Sequence, residues 1–333
     1  MNPPPGKYAG DASLDAVFIS PHKFLGGPGS TGVLVFNQRI YHPELPPSVS
    51  AGGTVDYVGP ESQDFIKDIE EREKAGTPGV LQILKAGLAF QIKDAIGVEA
   101  IEKRESELLQ QTFDRWRDNP NIEILGNPDP ERRISIVSFN LKDNRGRYLH
   151  PKFVTTLLND LFGIQSRAGC SCAGPYGHRL LDIDFEKSEQ YRQWINKGFC
   201  GIKPGWCRVS LHYVMDDAEV EYILDAVEFV AEQGHLFMSL YDFDLHSGAW
   251  THKADCVCLE PFSLDAALDC SGYQSRALSP GARRHLYAAF LAEARELAGE
   301  LAAQQAPQDH YLEAGLEELR FFSMPESSVA RRQ

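Results

Sequence analysis

The feature that most restricts how this chain can fold is a lysine framed by two short apolar runs. Ala16–Ile19 and residues 32–36 are too short for buried helices, and they read as strands. Ser20-Pro21 ends the first run, because proline stops regular pairing. Lys23 follows at once, and Gly26-Gly-Pro-Gly-Ser-Thr-Gly32 forms a glycine-rich loop. A lysine directly after a buried strand is held by the sheet and partly desolvated. Desolvation disfavours the ammonium form and makes the neutral amine available as a nucleophile. Ser20 and His22 stand beside it and can donate to a phosphate. From spacing alone, a plain surface lysine at a strand end is the commoner case and stands ahead. The loop lacks the Gly-Lys-Ser/Thr ending of a P-loop, so the sequence gives a nucleotide site little support.

From Thr77-Pro78 the apolar period changes. Leu81, Leu84, Leu88 and Ile92 recur at helical spacing and predict a helix over 79–94. A second amphipathic helix is expected over 98–118, ending near Asn119-Pro120. Strands are expected at 122–125, 134–141, 164–167 and 206–213, and helices at 151–162 and 217–231. This order suggests a small α+β domain. Residues 42–60 read as a Pro- and Gly-rich connection. Beyond Gly234 the composition shifts: 236–278 holds short strand-like pieces and three more cysteines, and Ser279-Pro280 starts a strong helix over 279–304. The expected division is 1–97, 98–235 and 236–333, which suits a chain of 333 residues.

The formal net charge of -14 repels phosphate backbones, so no nucleic-acid partner is expected. No apolar run approaches the roughly 20 residues a membrane span needs. The first residues carry no apolar signal region. Seven cysteines, an odd number at irregular spacing, suit a reducing, cytoplasmic setting with reactive or buried thiols. Cys170-Ser-Cys172 and Cys256-Val-Cys258 raise a zinc alternative, but a two-residue gap is the more usual ligand spacing, and no metal is expected.

Five segments in order carry a family resemblance. The strand–Ser20-Pro-His-Lys23–glycine loop–strand unit is similar to the cofactor-lysine segment of class V aminotransferases and cysteine desulfurases. Ala51-Gly-Gly-Thr54 resembles the family's glycine-rich segment, and Lys74-Ala-Gly-Thr-Pro78 resembles its Glu-Ala-Gly-Thr-Pro motif. Ser166-Arg-Ala-Gly-Cys-Ser-Cys172 resembles the active-site stretch, and Cys207-Arg-Val-Ser210 the Cys/Val-Arg-x-Ser strand. The resemblance implies an α/β chain of the fold-type I class of pyridoxal 5'-phosphate enzymes, with part of a large domain, a small C-terminal α+β domain and a helical extension. It implies that Lys23 forms the Schiff base, that Ser20 and His22 lie around the phosphate and ring, and that Thr54 serves the cofactor of a partner subunit in a dimer. Arg167 and Arg208 would bind the carboxylate of a small amino-acid substrate, since a planar guanidinium meets a carboxylate with two parallel hydrogen bonds. Cys172 would accept sulfur as a persulfide. A thiolate there needs exposure and a cation, which Arg167 and a glycine-bearing loop supply. Cys170 falls where close relatives carry histidine.

Pyridoxal chemistry also needs an acid on the ring nitrogen, a group stacked on the ring and a phosphate-binding helix end. In the family all three lie upstream of the lysine, and here only 22 residues precede Lys23. Asp11 and Asp15 are the only acids close before it, and they read as solvated. The expectation is therefore a truncated copy of a longer protein. Three functions stay open: cysteine desulfurase-like chemistry, an aminotransferase with no role for Cys172, and a non-catalytic or partner-dependent subunit that pairs with a full-length one.

Overall fold

The computed structural model describes residues 13–170, 172–254, 263–268, 278–303 and 312–325. The chain divides into two compact units, residues 1–102 and 103–333.

The first unit is assembled from small pieces. β1 (Ala16–Ile19) and β2 (Val33–Phe36) pair antiparallel, with Ala16 opposite Phe36 and Ile19 opposite Val33. β3 (Val55–Val58) and β4 (Gln63–Phe65) make a second antiparallel pair whose register shifts between Val55 and Tyr57. α1 (Ile69–Arg72) is one helical turn, and the carboxylate of its N-cap Asp68 accepts the Glu71 N–H. α2 (Val80–Ile96) ends at Gly97, whose φ of 87° lets the chain turn into α3 (Val98–Trp116). The expected helices over 79–94 and 98–118 are therefore present within two residues at each end, whereas the stretch 42–60, read as connection, contains β3. The first strand is also less buried than its apolar sequence suggests. Phe18 is 81% exposed, because among the described residues β1 has only β2 as a neighbour.

The second unit holds the large core. β5 (Ile122–Ile124), β6 (Ile136–Leu141), β7 (Arg167–Gly169) and β8 (Trp206–Ser210) form one antiparallel sheet in the order β5-β6-β8-β7. Alternation along β6 turns Val137, Phe139 and Leu141 to the core face, all fully buried. α4 (Pro151–Phe162) meets them with Phe153, Val154, Leu157 and Leu158. Each such side chain stabilises by about 1.5–3 kcal/mol relative to exposure. α5 (Gly174–Leu180) and α6 (Phe185–Asn196) follow β7, and Asp184 caps α6 by accepting the Lys187 N–H. α7 (Asp217–Gln233) contributes Val220, Leu224, Val227 and Val230 to the same core.

The residues beyond 234 join this core. β9 (Tyr241–Asp244) and β10 (Ala249–His252) form a hairpin that buries Phe243 and Trp250, and the Trp250 ring lies 4.5 Å from that of Phe153. α8 (Leu264–Leu268) is a short helix. α9 (Pro280–Ala302) starts on Ser279, whose hydroxyl accepts the Ala282 N–H, with proline at its first position. Its buried stripe is Leu291, Ala294, Ala298 and Leu301. Tyr287 stacks on Tyr222 of α7 at 4.1 Å and 8°. α10 (Ala314–Glu317) is the last described helix, and beyond it Phe322 is buried against His150 and Phe243.

Candidate functional site

In the first unit Lys23 closes a single 3-10 turn, Pro21–Lys23, directly after β1. Its N–H donates to the Ser20 carbonyl at 3.0 Å. The glycine loop then folds back over this turn. The Gly27 backbone passes so close that an added Cβ would lie 1.8 Å from the Pro21 oxygen, which only glycine permits. Phe24 anchors the turn on α2 through an edge-on contact with Phe90 at 5.3 Å, and the Thr31 N–H donates to the Gln82 carbonyl at 3.2 Å. The loop thus presents Lys23 and His22 outward. Both are exposed, and the Lys23 amine makes no hydrogen bond or ion pair with a described residue. The partial desolvation expected at this lysine is not seen, because β1 itself is half open to water. Ser20 is half-buried beside them. Thr54 is fully buried, and its hydroxyl donates to the Ala51 carbonyl at 2.7 Å, within its own turn. The Lys74-to-Pro78 motif forms part of a separate cleft of about 340 Å³ with Thr31 and Gln82.

In the second unit the two arginines meet. Arg167 on β7 stands directly opposite Arg208 on β8 in an antiparallel pair, so both side chains leave the same face of the sheet. Arg208 is half-buried, and its guanidinium has no hydrogen bond or ion pair with a described residue. Arg167 donates from Nη2 to Sγ of Cys172 at 3.0 Å. Cys172 is exposed and has a φ of 62°, a left-handed conformation that a non-glycine residue holds only under local constraint. Arg167 and Arg208 also line a cleft of about 480 Å³ together with Ser210, Met215, Tyr222 and Tyr287. The sequence reading did not place Tyr222 or Tyr287 at a site. Tyr287 falls on α9, far along the chain, and its only sequence signal was its place one turn before Leu291. Burial pushes the Tyr222 hydroxyl up to about 12, and it donates to the Phe162 carbonyl at 2.9 Å, so it forms part of the wall rather than a proton donor to a ligand.

Other candidates take structural roles. His178 is half-buried, with Nδ1 donating to the Gly174 carbonyl at 2.8 Å and Nε2 within 3.0 Å of the Ser188 hydroxyl. His212 accepts the Val214 N–H. Cys207 is fully buried, its thiol pushed far up by desolvation, and it donates to the Pro151 carbonyl. Among the described residues no three His, Cys, Asp or Glu side chains are grouped to hold a metal ion, and Cys256 and Cys258 lie outside the described residues. No helix of the described residues is long and apolar enough to cross a membrane.

The residues in hand fit one end of pyridoxal phosphate. Lys23 offers a free amine for the aldehyde, with Ser20 and His22 beside it. For the pyridine nitrogen they offer no comparable partner. The described acid nearest before the lysine, Asp15, is held by Arg39 at 2.7 Å, and Asp11 lies outside the described residues.

Residues 9–223 match the family model described as aminotransferase class-V. A probable cysteine desulfurase of Halalkalibacterium halodurans is 32% identical over 173 residues, 52% of this chain and 39% of that protein. One of Staphylococcus aureus is 33% identical over 165 residues, 50% of this chain and 38% of that protein. The chain thus spans about two fifths of the length of these curated relatives. Among solved structures, an apo cysteine desulfurase of Thermococcus onnurineus superposes with a TM-score of 0.52 at 26% identity, over 65% of this chain and 47% of the other. An Escherichia coli cysteine desulfurase gives 0.50 at 20% identity over 65% and 45%, a likeness of fold.

Proposed function

The chain belongs to the class-V aminotransferase family, and on that premise we propose that it serves cysteine desulfurase-like chemistry on a small amino acid, with Lys23 as the cofactor lysine and Cys172 as the sulfur acceptor. The fold is read as the fold-type I class, with residues 1–97 as part of its large domain. The observation that carries the reading is the pairing of Arg167 with Arg208. Like charges directly opposite on neighbouring strands destabilise a sheet, and a half-buried guanidinium without a partner costs more still. A carboxylate between them removes both costs and is met by two forks of donors. Arg167 also stands on the Cys172 sulfur, so the thiolate has a cation beside it when it attacks. In this reading the arginines bind and orient the amino acid, and Cys172 takes the sulfur atom.

The experiment is to add pyridoxal phosphate and cysteine to the purified chain. A visible absorbance band lost in Lys23→Ala, with sulfide and alanine formed and lost in Cys172→Ala, supports the reading. Amino transfer to a keto acid that survives Cys172→Ala replaces it with an aminotransferase.

One observation favours partner dependence as a second reading. Among the described hydrophobic residues of the first unit, only Ala86, Ala89 and Ile101 are buried side chains of its helices, while Phe18, Tyr57, Val58, Leu81 and Leu84 are each at least 60% exposed. Exposed apolar surface of this extent marks an interaction face, and a second polypeptide of the same family, as a like subunit or a full-length one, would cover it. Light scattering of the chain alone and mixed with a full-length relative tests this. A monomer that ignores the relative refutes it.

A further inference from the structure

Of the two cysteines in the Arg167–Cys172 stretch, Cys170 is the one that the proposed chemistry leaves without a task. Cys170 and Cys172 are both free, exposed thiols in the connection between β7 and α5. The Ala173 N–H donates to the Cys170 carbonyl at 3.0 Å, which closes a four-residue turn with Cys172 as its third residue. Two residues of chain can separate the Cα atoms of Cys170 and Cys172 by no more than about 7 Å, which meets the roughly 4.4–6.8 Å range that disulfides take. Neither sulfur is locked. Cys170 Sγ has only a 3.8 Å contact to the Pro204 carbonyl, and Cys172 Sγ accepts from the exposed Arg167 side chain.

We propose that Cys170 is a resolving thiol, which releases sulfide from a persulfide on Cys172 by forming a Cys170–Cys172 disulfide. The proposal rests on the sulfur-transfer reading above. Cys170 gives its proton to water, and its thiolate attacks the inner persulfide sulfur, the one bonded to Cβ of Cys172. A bond forms between the two cysteine sulfurs, and the persulfide S–S bond breaks. The outer sulfur leaves with that electron pair as hydrosulfide. The zero-valent sulfur is thereby reduced to sulfide while the two cysteines are oxidised to a disulfide, so no outside oxidant is needed. Hydrosulfide is a weakly basic leaving group, which favours this direction of cleavage. A small-molecule thiol then reduces the exposed disulfide and restores both cysteines.

The test loads the sulfur without the cofactor. The full chain, reduced and freed of reductant, is treated with inorganic polysulfide, quenched in acid, alkylated, and digested with trypsin, and the peptide 168–179 is weighed. In the wild-type chain this peptide is expected two hydrogens lighter, with no added sulfur and with free sulfide in solution. In Cys170→Ser it keeps one added sulfur on Cys172. A thiol two residues away acts at a high effective concentration, so the wild-type persulfide should disappear at least about tenfold faster than that of the variant. Equal lifetimes in the two chains overturn the proposal. Lys23→Ala should behave as wild type here, because loading uses neither the lysine nor the cofactor. Failure of this arm is therefore separate from failure to make sulfide and alanine from cysteine.

Discussion

Acid should weaken the second unit through one buried imidazole. His150 is the N-cap of α4: its Nδ1 accepts the Lys152 N–H at 3.1 Å, and its Nε2–H donates to the Gly201 carbonyl at 3.1 Å. The rings of Phe322, Phe243 and Trp250 surround it at 4.5, 5.4 and 5.9 Å, and it is 4% exposed. Desolvation, with the nearby Lys152 charge adding to it, pushes its pKa from 6.5 down to about 3. The unfolded chain therefore binds a proton in the window between these values that the folded chain refuses. The stabilisation is fully present above the unfolded value and is lost as pH falls toward the folded one. Each pH unit inside the window costs about 1.4 kcal/mol. The loss from about pH 7 to pH 5 is then about 2 kcal/mol, and it reaches about 4 kcal/mol at about pH 3. Protonation also removes the lone pair that caps the helix. All four tryptophans, Trp116, Trp194, Trp206 and Trp250, lie in the second unit, so urea unfolding followed by tryptophan fluorescence reports that unit. His150→Asn keeps a capping side chain that does not titrate. It should be less stable at neutral pH but should lose about 2 kcal/mol less than wild type between pH 7 and pH 5. His235, also pushed down by burial, titrates in the same direction and is common to both chains. If the two chains show the same pH slope, the buried-imidazole argument is wrong.

Three further outcomes follow from the geometry. Gly27→Ala forces a Cβ against the Pro21 carbonyl, a clash worth about 1–3 kcal/mol; hydrogen exchange at the Lys23, Phe24 and Gly27 amides should speed up, and unchanged exchange would contradict the close approach. Arg208→Lys keeps the charge but loses the fork, so the apparent affinity for an amino-acid carboxylate should fall about tenfold with the fold intact, as read by substrate titration beside circular dichroism. Tyr287→Ala removes the ring stacked on Tyr222 and should destabilise the docking of α9 by about 1–3 kcal/mol, seen as faster proteolysis within residues 280–302.

Elements whose signals are local could be read from the sequence. α4, α7 and α9 begin and end near the bounds expected over 151–162, 217–231 and 279–304. The strand expected at 164–167 instead occupies Arg167–Gly169, because its register is set by β8, some forty residues later, and not by its own pattern. α6 was missed although Asp184 caps it, since its outer face is charged and its apolar stripe thin. Lys23, Arg167, Arg208 and Cys172 could be found as motif positions. That Arg167 faces Arg208 and touches Cys172 could not, because strand pairing and turn closure are non-local. His150 escaped notice as a cap because histidine seldom takes that role, and only the aromatic shell around it makes the neutral ring the stable form.

The stretch that resembles the family stops at residue 223, inside α7, while the core does not stop there. Leu291, Ala294 and Ala298 of α9, with Phe243 and Trp250 of the β9–β10 hairpin, lie in the same buried cluster as Phe153 and Leu157 of α4. The matched stretch and the folded body therefore end in different places. A gene rearrangement that cut at the first would uncover the interior of the second, and a change of volume on the inner face of α4 must be answered on α9. Substitutions on the two sides of residue 223 are thus coupled through one packed interior.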